Sequence, residues 1–592
     1  MTTPILLDPY LKKIFKQFVK NRLGFTAFLF LLLFVAIGLY APLFASSKPL
    51  LVVYEGKWYF PLFRYLFYPG FYTKPIDLFY NILMLTVPLG IIGCFLLKKG
   101  YTTFLIGVVG LQIAVFLCVL LGIVKDPAAL PSLTLERQQA VEKRVSFRED
   151  PLLAPISAYP SWSFELEYMT PYEKLNRLLR YQQRQKQHNR LLPYAKAYEE
   201  KNKREMPTLW EVDQRNLLDE KKRLLAYLET HAKEYEYTLN SLPELMKAYR
   251  PHSYAFLMAK MDLQRAQKRL ESLSFVSREK EDALAHVQKA QMHYEAMLQQ
   301  ANATRLPLEQ ARSFVQSYQQ TAGRLTFLEE KERWEHQESQ QLHVLMPPLL
   351  RPFHWEDDAG GGQNINSAVP WWELSRVNRK DLVAGLLFGI RISLVVGFTA
   401  VFLSLLIGIP LGMVSAYFAG KVDMLTCRLI EIWEAMPTFF MLLLIIAITQ
   451  SKSIFLVISV LGIFGWTGLA RFMRGEVLKQ RGLPYVMACH SQGFRHPRIM
   501  FSHILPNAIP PILTLLPFSM MAAITSEAGI SFLGLGEEGS TSWGVLMAEG
   551  RSVFPGESYL LWPPAILLTI LLICIALVGD ALRDAIDPKM QK

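Results

Sequence analysis

Uncharged apolar runs of about twenty residues gather at both ends of this chain, and a long charged stretch fills the middle. A bilayer core takes roughly 20 apolar helical residues to cross, so both ends belong in a membrane. Hydrophobic residues make up 51% of the 592 and charged ones only 19%. The charged share lies below the ~25% usual in soluble domains, and the composition excludes a disordered or collagen-like class. A net charge of +12 can mark a nucleic-acid binder. Here Lys and Arg flank apolar runs, where they orient spans, and no nucleic-acid partner is expected.

The first run covers 24–44 and follows Lys12, Lys13, Lys16, Lys20 and Arg22. It is longer than the roughly 7–15-residue core of a cleaved signal peptide. It reads as a retained anchor with a cytoplasmic N-terminus; cleavage at Ala45-Ser46-Ser47 is the alternative. Spans at 79–97 and 102–124 follow, joined by Lys98-Lys99. Five more are expected at 392–417, 426–449, 454–472, 509–530 and 562–582. Alternation then puts Lys421, Arg471, Arg474, Lys479, Arg481, Arg495, Arg498 and the Lys589/Lys592 tail inside. Glu537, Glu538, Glu549 and Glu557 fall outside. This bias fits eight spans. It also puts 125–384 outside the cytoplasm, and makes the spans within 79–124 an extra pair that leaves later topology unchanged.

Residues 155–345 are rich in Leu, Ala, Glu, Gln, Lys and Arg, all good helix formers. Thr170-Pro171-Tyr172-Glu173 has the cap, the first-turn proline and the reciprocal glutamate of a helix start. Thr208 and Glu211 repeat the spacing. Leu217, Leu224, Leu228, Tyr235, Leu239 and Leu242 recur at helical intervals, as do Leu284, Val287, Tyr294 and Leu298. The stripe predicts a helical domain, in the form of a coiled-coil hairpin. Breaks are expected at Pro193, Pro207, Pro243, Pro251 and Pro307. Such a domain could dock a binding protein or the envelope, or simply pack on itself. Ala359-Gly360-Gly361-Gly362-Gln363-Asn364 reads as a flexible linker back to the membrane.

Catalytic patterns are missing. No GxxxxGK[ST] phosphate loop occurs, since Gly56-Lys57 and Gly420-Lys421 lack the earlier glycine and the following hydroxyl. Trp334-Glu335-His336-Gln337-Glu338 has no second histidine at metal spacing, and no GxSxG elbow is present. Cys94, Cys118, Cys427, Cys489 and Cys574 form no CxxC pair. Neither an enzyme activity nor a cofactor or metal is expected. Acidic residues inside spans are functional candidates by default. Glu527 is therefore a possible pathway residue; Glu431 and Glu434 lie nearer an interface.

Between two of the expected spans lies a polar, basic segment, 475–507. It contains Tyr485-Val486-Met487-Ala488-Cys489-His490-Ser491-Gln492-Gly493, with Pro506 thirteen residues beyond the glycine. A glycine break and a helix-starting proline suit two short helices joined by a turn. This spacing resembles the cytoplasmic coupling loop of ABC importer permeases. The ends as a whole resemble the C-type permease subunit of dipeptide/oligopeptide importers, and most of all its microcin C-type branch. Asn21-Arg22-Leu23-Gly24, Lys48-Pro49-Leu50-Leu51-Val52 and Tyr54-Glu55-Gly56-Lys57-Trp58 carry the likeness at the front. Gly389-Ile390-Arg391-Ile392-Ser393, Met436-Pro437-Thr438, Ser531-Phe532-Leu533-Gly534-Leu535-Gly536 and Arg583-Asp584-Ala585-Ile586-Asp587-Pro588 carry it at the back.

The resemblance implies an all-α integral membrane protein: a type I permease core of about six spans, two extra spans, and an inserted extracytoplasmic helical domain. The expected divisions are 1–48 (tail and first helix), 49–78 (outer loop), 79–124 (extra pair), 125–384 (insertion) and 385–592 (permease core). It further implies a bacterial cytoplasmic-membrane location, a B-type partner permease, two ABC ATPases, an external solute-binding protein, and peptide or peptide-like cargo. Carried over to the coupling loop are Ala488, Gly493, His503, Leu505 and Pro506. Arg495 and Arg498 add charge for an ATPase groove, or for lipid headgroups. The family's usual loop glutamate is replaced by Met487, so its salt bridge is not carried over. The outer motif keeps only Leu374 and Asp381. A structural envelope protein and a non-ABC channel or carrier remain as alternatives.

Overall fold

The computed structural model describes residues 9–66, 74–97, 101–123, 131–142, 152–271, 278–358, 365–556 and 560–586. The Lys98-Lys99 turn, the 359–364 linker, Glu557 and the Lys589/Lys592 tail lie outside them. The chain divides into two compact units, 1–125 with 186–209 and 344–592, and 126–185 with 210–343. Residues 186–209 and 344–384, grouped by sequence with the insertion, thus fall in the first unit.

In the first unit, α1 (Arg22–Leu39) is capped by the Asn21 side chain, which accepts from the Gly24 N–H at 3.1 Å. After it come a short hairpin, β1 (Leu51–Tyr54) and β2 (Lys57–Tyr59), then α2 (Pro75–Leu96) and α3 (Tyr101–Leu120). Glu55 and Gly56 both have positive φ, 51° and 71°, as a two-residue hairpin turn requires. A third strand, β3 (His343–Met346), joins this sheet on the β1 side, with the Leu50 N–H donating to the Met346 carbonyl at 2.9 Å. The chain is otherwise helical, as expected, and this small sheet is the exception among the described residues; its Glu-Gly turn is a weaker hairpin signal than Asn-Gly or Asp-Gly. Thr86 and Gln112 hydrogen bond at 2.7 Å, and Gln112 donates to the Phe79 carbonyl at 3.0 Å, tying α3 to α2.

The second unit is helical. It holds α4 (Pro131–Glu142), α5 (Trp162–Glu167), the first half of α6 (Pro171–Asn202), nearly all of α7 (Leu209–Glu271) and α8 (Arg278–Gln341). The start of α6 is a reciprocal capping box: Glu173 N–H to Thr170 Oγ1 at 3.2 Å, and Thr170 N–H to Glu173 Oε2 at 2.8 Å. α7 and α8 run antiparallel. Arg324 pairs with Glu220 at 3.2 Å, Tyr318 stacks on Tyr235 at 4.0 Å, and Phe256 meets Tyr294 at 5.5 Å. Of the five expected proline breaks only Pro207 falls between helices; Pro193, Pro243, Pro251 and Pro307 lie inside them. An interior proline costs about 3 kcal/mol. Around Pro243, Pro251 and Pro307, burial of Leu242, Tyr249 and Leu308 with Leu152, Leu153 and Ile156 offsets that cost.

The permease-like end returns to the first unit with α9 (Leu382–Phe418), whose N-cap Asp381 accepts from the Ala384 N–H at 2.7 Å. Then come α10 (Gly420–Glu434), α11 (Thr438–Thr449), α12 (Ile454–Phe464) and α13 (Trp466–Arg481). Next are α14 (Pro484–Ser491), α15 (Leu505–Leu513), α16 (Leu516–Ile530) and α17 (Trp562–Ile586). Among the described residues seven helical stretches are long and apolar enough to cross a membrane, or eight if a bent pair counts as one span. The bent pair is α10 and α11, turned by 70° where one straight span was expected. Pro437 is extended there at ψ 118°. It has no N–H to donate, and it disfavours helix at the residue before it.

A buried ionic centre joins α1, α2 and α9. Arg391 is fully buried in α9 and meets Asp77 of α2 at 3.1 Å and Asn81 at 3.1 Å. It also donates to the carbonyls of Gly38 at 2.7 Å and Leu39 at 3.1 Å, at the end of α1. Trp355 Nε1 donates to the other Asp77 oxygen at 3.1 Å. The guanidinium lies over Phe388 and Tyr80, 4.9 and 5.2 Å from the ring centres. A second cluster forms where the outer motif departs from the family pattern. Arg351 pairs with Asp381 and Glu373, and Arg376 is bidentate on Glu549.

Candidate functional site

The 475–507 segment leaves the end of α13, turns at Gly482-Leu483, and forms α14, begun by Pro484 at its first turn. α14 stops at Gln492, and Gly493 follows with φ 73°. Its N–H donates to the His490 carbonyl at 3.0 Å, while Phe494 N–H reaches back to Cys489 at 3.1 Å. A side chain at Gly493 would meet no atom within 4 Å. The glycine is therefore needed for its left-handed backbone and not for space. A short helical turn (His496–Arg498) and a wide π-turn (Ile499–Ile504) then lead into α15. The π-turn sits just ahead of Pro506, which has no N–H to offer; such bulges accommodate a missing donor.

One face of this segment is locked to α9 and α13. Val486, Cys489, Ile499, Met500 and Ile504 bury against Met413, Tyr417, Met473 and Val477. The Tyr417 hydroxyl lies 2.8 Å from His496 Nδ1 and 3.3 Å from His490 Nε2, bridging both halves of the segment. Arg481 donates to the Ala416 carbonyl at 3.3 Å. Arg474 is bidentate on Asp423 at 2.6 and 2.7 Å, and Ser415 donates to the same carboxylate at 2.6 Å. α9 and α13 touch through glycines: a Cβ at Gly412 would stand 2.3 Å from the Ala470 carbonyl oxygen, and one at Gly408 2.8 Å from that of Trp466. The segment and its two supporting helices thus form a continuous packed body. A Gly412→Leu chain is expected to melt at lower temperature in detergent, with a cost of about 1–3 kcal/mol from overpacking. An unchanged melting midpoint would show that the helices part freely.

The opposite face is open. Met487, Ala488, Arg495, Arg498 and Phe501 are exposed, and Arg498 lies over the Phe494 ring at 5.0 Å. His503 is half-buried and stacks on Phe494 at 5.8 Å; Leu505 is half-buried and Pro506 exposed. Glu527 sits elsewhere, in α16, only 1% exposed. Ser531 and Ser542 both donate to its Oε1, at 2.7 and 2.6 Å. Sequence reasoning marked the open face but missed Tyr417, His490 and His496 as its clasp. Their separation along the chain hid the contact. Among the described residues no group of three or more His, Cys, Asp or Glu is placed to hold a metal ion.

Residues 408–592 match the family model described as binding-protein-dependent transport system inner membrane component. The oligopeptide transport system permease protein OppC of Haemophilus influenzae is 34% identical over 254 residues, 42% of this chain and 80% of that protein. OppC of Bacillus subtilis is 35% identical over 255 residues, 42% of this chain and 83% of that protein. This chain belongs to the inner-membrane permeases of binding-protein-dependent transport systems. The permease also matches the peptidoglycan transport system permease protein YejE of Agrobacterium fabrum, at 36% identity over 36% of this chain and 55% of that protein. A chain of the solved MetNI methionine ABC transporter aligns over 34% of the permease and 96% of its own length, at 19% identity and a TM-score of 0.30. The permease is a multi-pass membrane subunit of an ABC importer and not an enzyme.

Proposed function

We propose that this permease carries peptides or peptide-like solutes inward, and that the 475–507 segment is where partner ATPases drive it. The observation that carries the reading is the two-sided segment: one face clasped by Tyr417, the other open with Met487, Ala488, Arg495 and Arg498. An ATPase groove meeting that face would move α9 and α13 with it, because packed bodies shift as units. The peptide cargo rests on the names of the OppC relatives. The N-terminus is cytoplasmic in this reading, and the basic residues of 475–507 share its side. The assembly contains a B-type permease, two ABC ATPases and an external binding protein. Residues 126–185 and 210–343 form an extracytoplasmic domain with a coiled-coil hairpin. Glu527 faces the pathway only if its serine clasp opens during the cycle.

Gentle purification from native membranes, with mass-spectrometric identification of what accompanies the chain, tests the reading. A second permease and ABC ATPases are expected. Arrival without either, under conditions that hold a control importer together, would remove the importer reading and favour a structural role.

A further inference from the structure

The second unit contains a cavity of about 770 Å³, separate from everything described so far. That volume lies within the range of small-ligand sites, roughly 300–1,000 Å³. Three long helices form its main walls, with Thr134 and Arg137 of α4 and Glu165 of α5 also in the lining. On α6, Arg177, Arg180, Tyr181 and Arg184 recur at helical spacing and line one wall. Trp210 and Asp213 of α7 line the second, Lys331 and Glu335 of α8 the third. Neighbours fix much of this lining. Arg177 lies over Trp162 at 5.2 Å, Arg184 pairs with Asp213 at 2.7 Å, and Tyr181 packs edge-on to Trp210 at 5.2 Å.

Arg180 and Glu335 face the space with opposite charge, and Arg177 acts on Glu335 from the α6 wall. Arg180 is exposed and has no acidic partner among the described residues. Glu335 meets Lys331 only at 3.8 Å, and burial lifts its carboxyl above the ordinary range, with Lys331 and Arg177 pulling it back. A weakly paired carboxylate in a half-buried wall favours a cation that brings its own hydrogen bonds. The aromatic pair Tyr181–Trp210 adds a surface for an ammonium or an apolar side chain.

We infer that this cavity binds a short zwitterionic solute, its carboxylate on Arg180 and its ammonium on Glu335. The choice of a peptide as that zwitterion rests on the importer reading above. The insertion would then hold cargo by itself, apart from any external binding protein. Isothermal titration calorimetry on the full chain in detergent micelles, with no ATPase present, tests the site directly. The probe is trialanine with free termini. Saturable binding is expected, about tenfold weaker for N-acetyl-trialanine amide and for each of Arg180→Gln and Glu335→Gln. Far-UV circular dichroism confirms that these near-isosteric variants keep their helices. No saturable binding would overturn the inference, and so would binding indifferent to both substitutions and to terminal blocking. Failure of the importer reading shows in co-purification instead, so the two failures are distinguishable.

Discussion

Asp77→Ala is expected to deplete this chain from the membrane fraction and to lower the melting midpoint of whatever is extracted. The substitution removes the carboxylate that stands 3.1 Å from the fully buried Arg391. Asn81 and the backbone carbonyls of Gly38, Leu39 and residue 77 remain as acceptors, but none of these carries a charge. Removing one member of a buried pair typically costs about 3–5 kcal/mol, because the other is left uncompensated. Removing both is far milder when apolar groups fill the space. Asp77→Ala combined with Arg391→Leu should therefore accumulate better than Asp77→Ala alone. Fluorescence-detected size-exclusion after heating separates the two. Equal melting of wild type and Asp77→Ala would show that the pair contributes little.

This pair changes the standing of the helices at 75–120. By sequence they read as an addition to a finished core. In the structure α2 supplies the counter-charge for an arginine of the family-like motif Gly389-Ile390-Arg391, and the end of α1 supplies two of its acceptors. α2 is thus electrostatically part of the core, and α3 is tied to it through α2.

The same pair explains where the sequence reading of the membrane spans fell short. Apolar runs are local, so the existence of the spans was legible from hydropathy. Their starts were not. The expected spans begin at 79 and 392, just after Asp77 and Arg391. Yet α2 begins at Pro75 and α9 at Leu382. Arg391 lies within its helix and takes its counter-charge from Asp77, in the first turn of α2, 314 positions away. The bend at Pro437 has a local signal, since proline ends helices wherever packing does not rescue it. The prolines of α7 and α8 show the converse: their helices persist through burial contributed by distant residues. In the 475–507 segment Gly493 was legible, because a glycine break between two short helices signals a backbone demand. The Tyr417 clasp was not, because its histidines lie 73 and 79 positions away.

Gly493→Pro is expected to abolish solute uptake while ATP hydrolysis by the assembled transporter persists. Proline fixes φ near −65°, and Gly493 stands at 73°. The substitution also removes the N–H that reaches the His490 carbonyl at 3.0 Å. The turn between α14 and the following helix must then open, and His490 and His496 can no longer both meet Tyr417. Damage should stay local, because the position is exposed and a Cβ there meets no atom within 4 Å. Membrane accumulation is therefore expected to match wild type. Gly493→Ala separates backbone strain from loss of the turn. It keeps the N–H and adds only the left-handed penalty of about 1–2 kcal/mol, so partial uptake should survive. Reconstitution with the partner ATPases, measuring ATP turnover and labelled-peptide uptake in the same vesicles, gives both readouts. Normal uptake by Gly493→Pro would remove the coupling role from this segment. Loss of uptake and hydrolysis together would mean that the segment holds the ATPases in the assembly, and that transmission of force runs through other contacts.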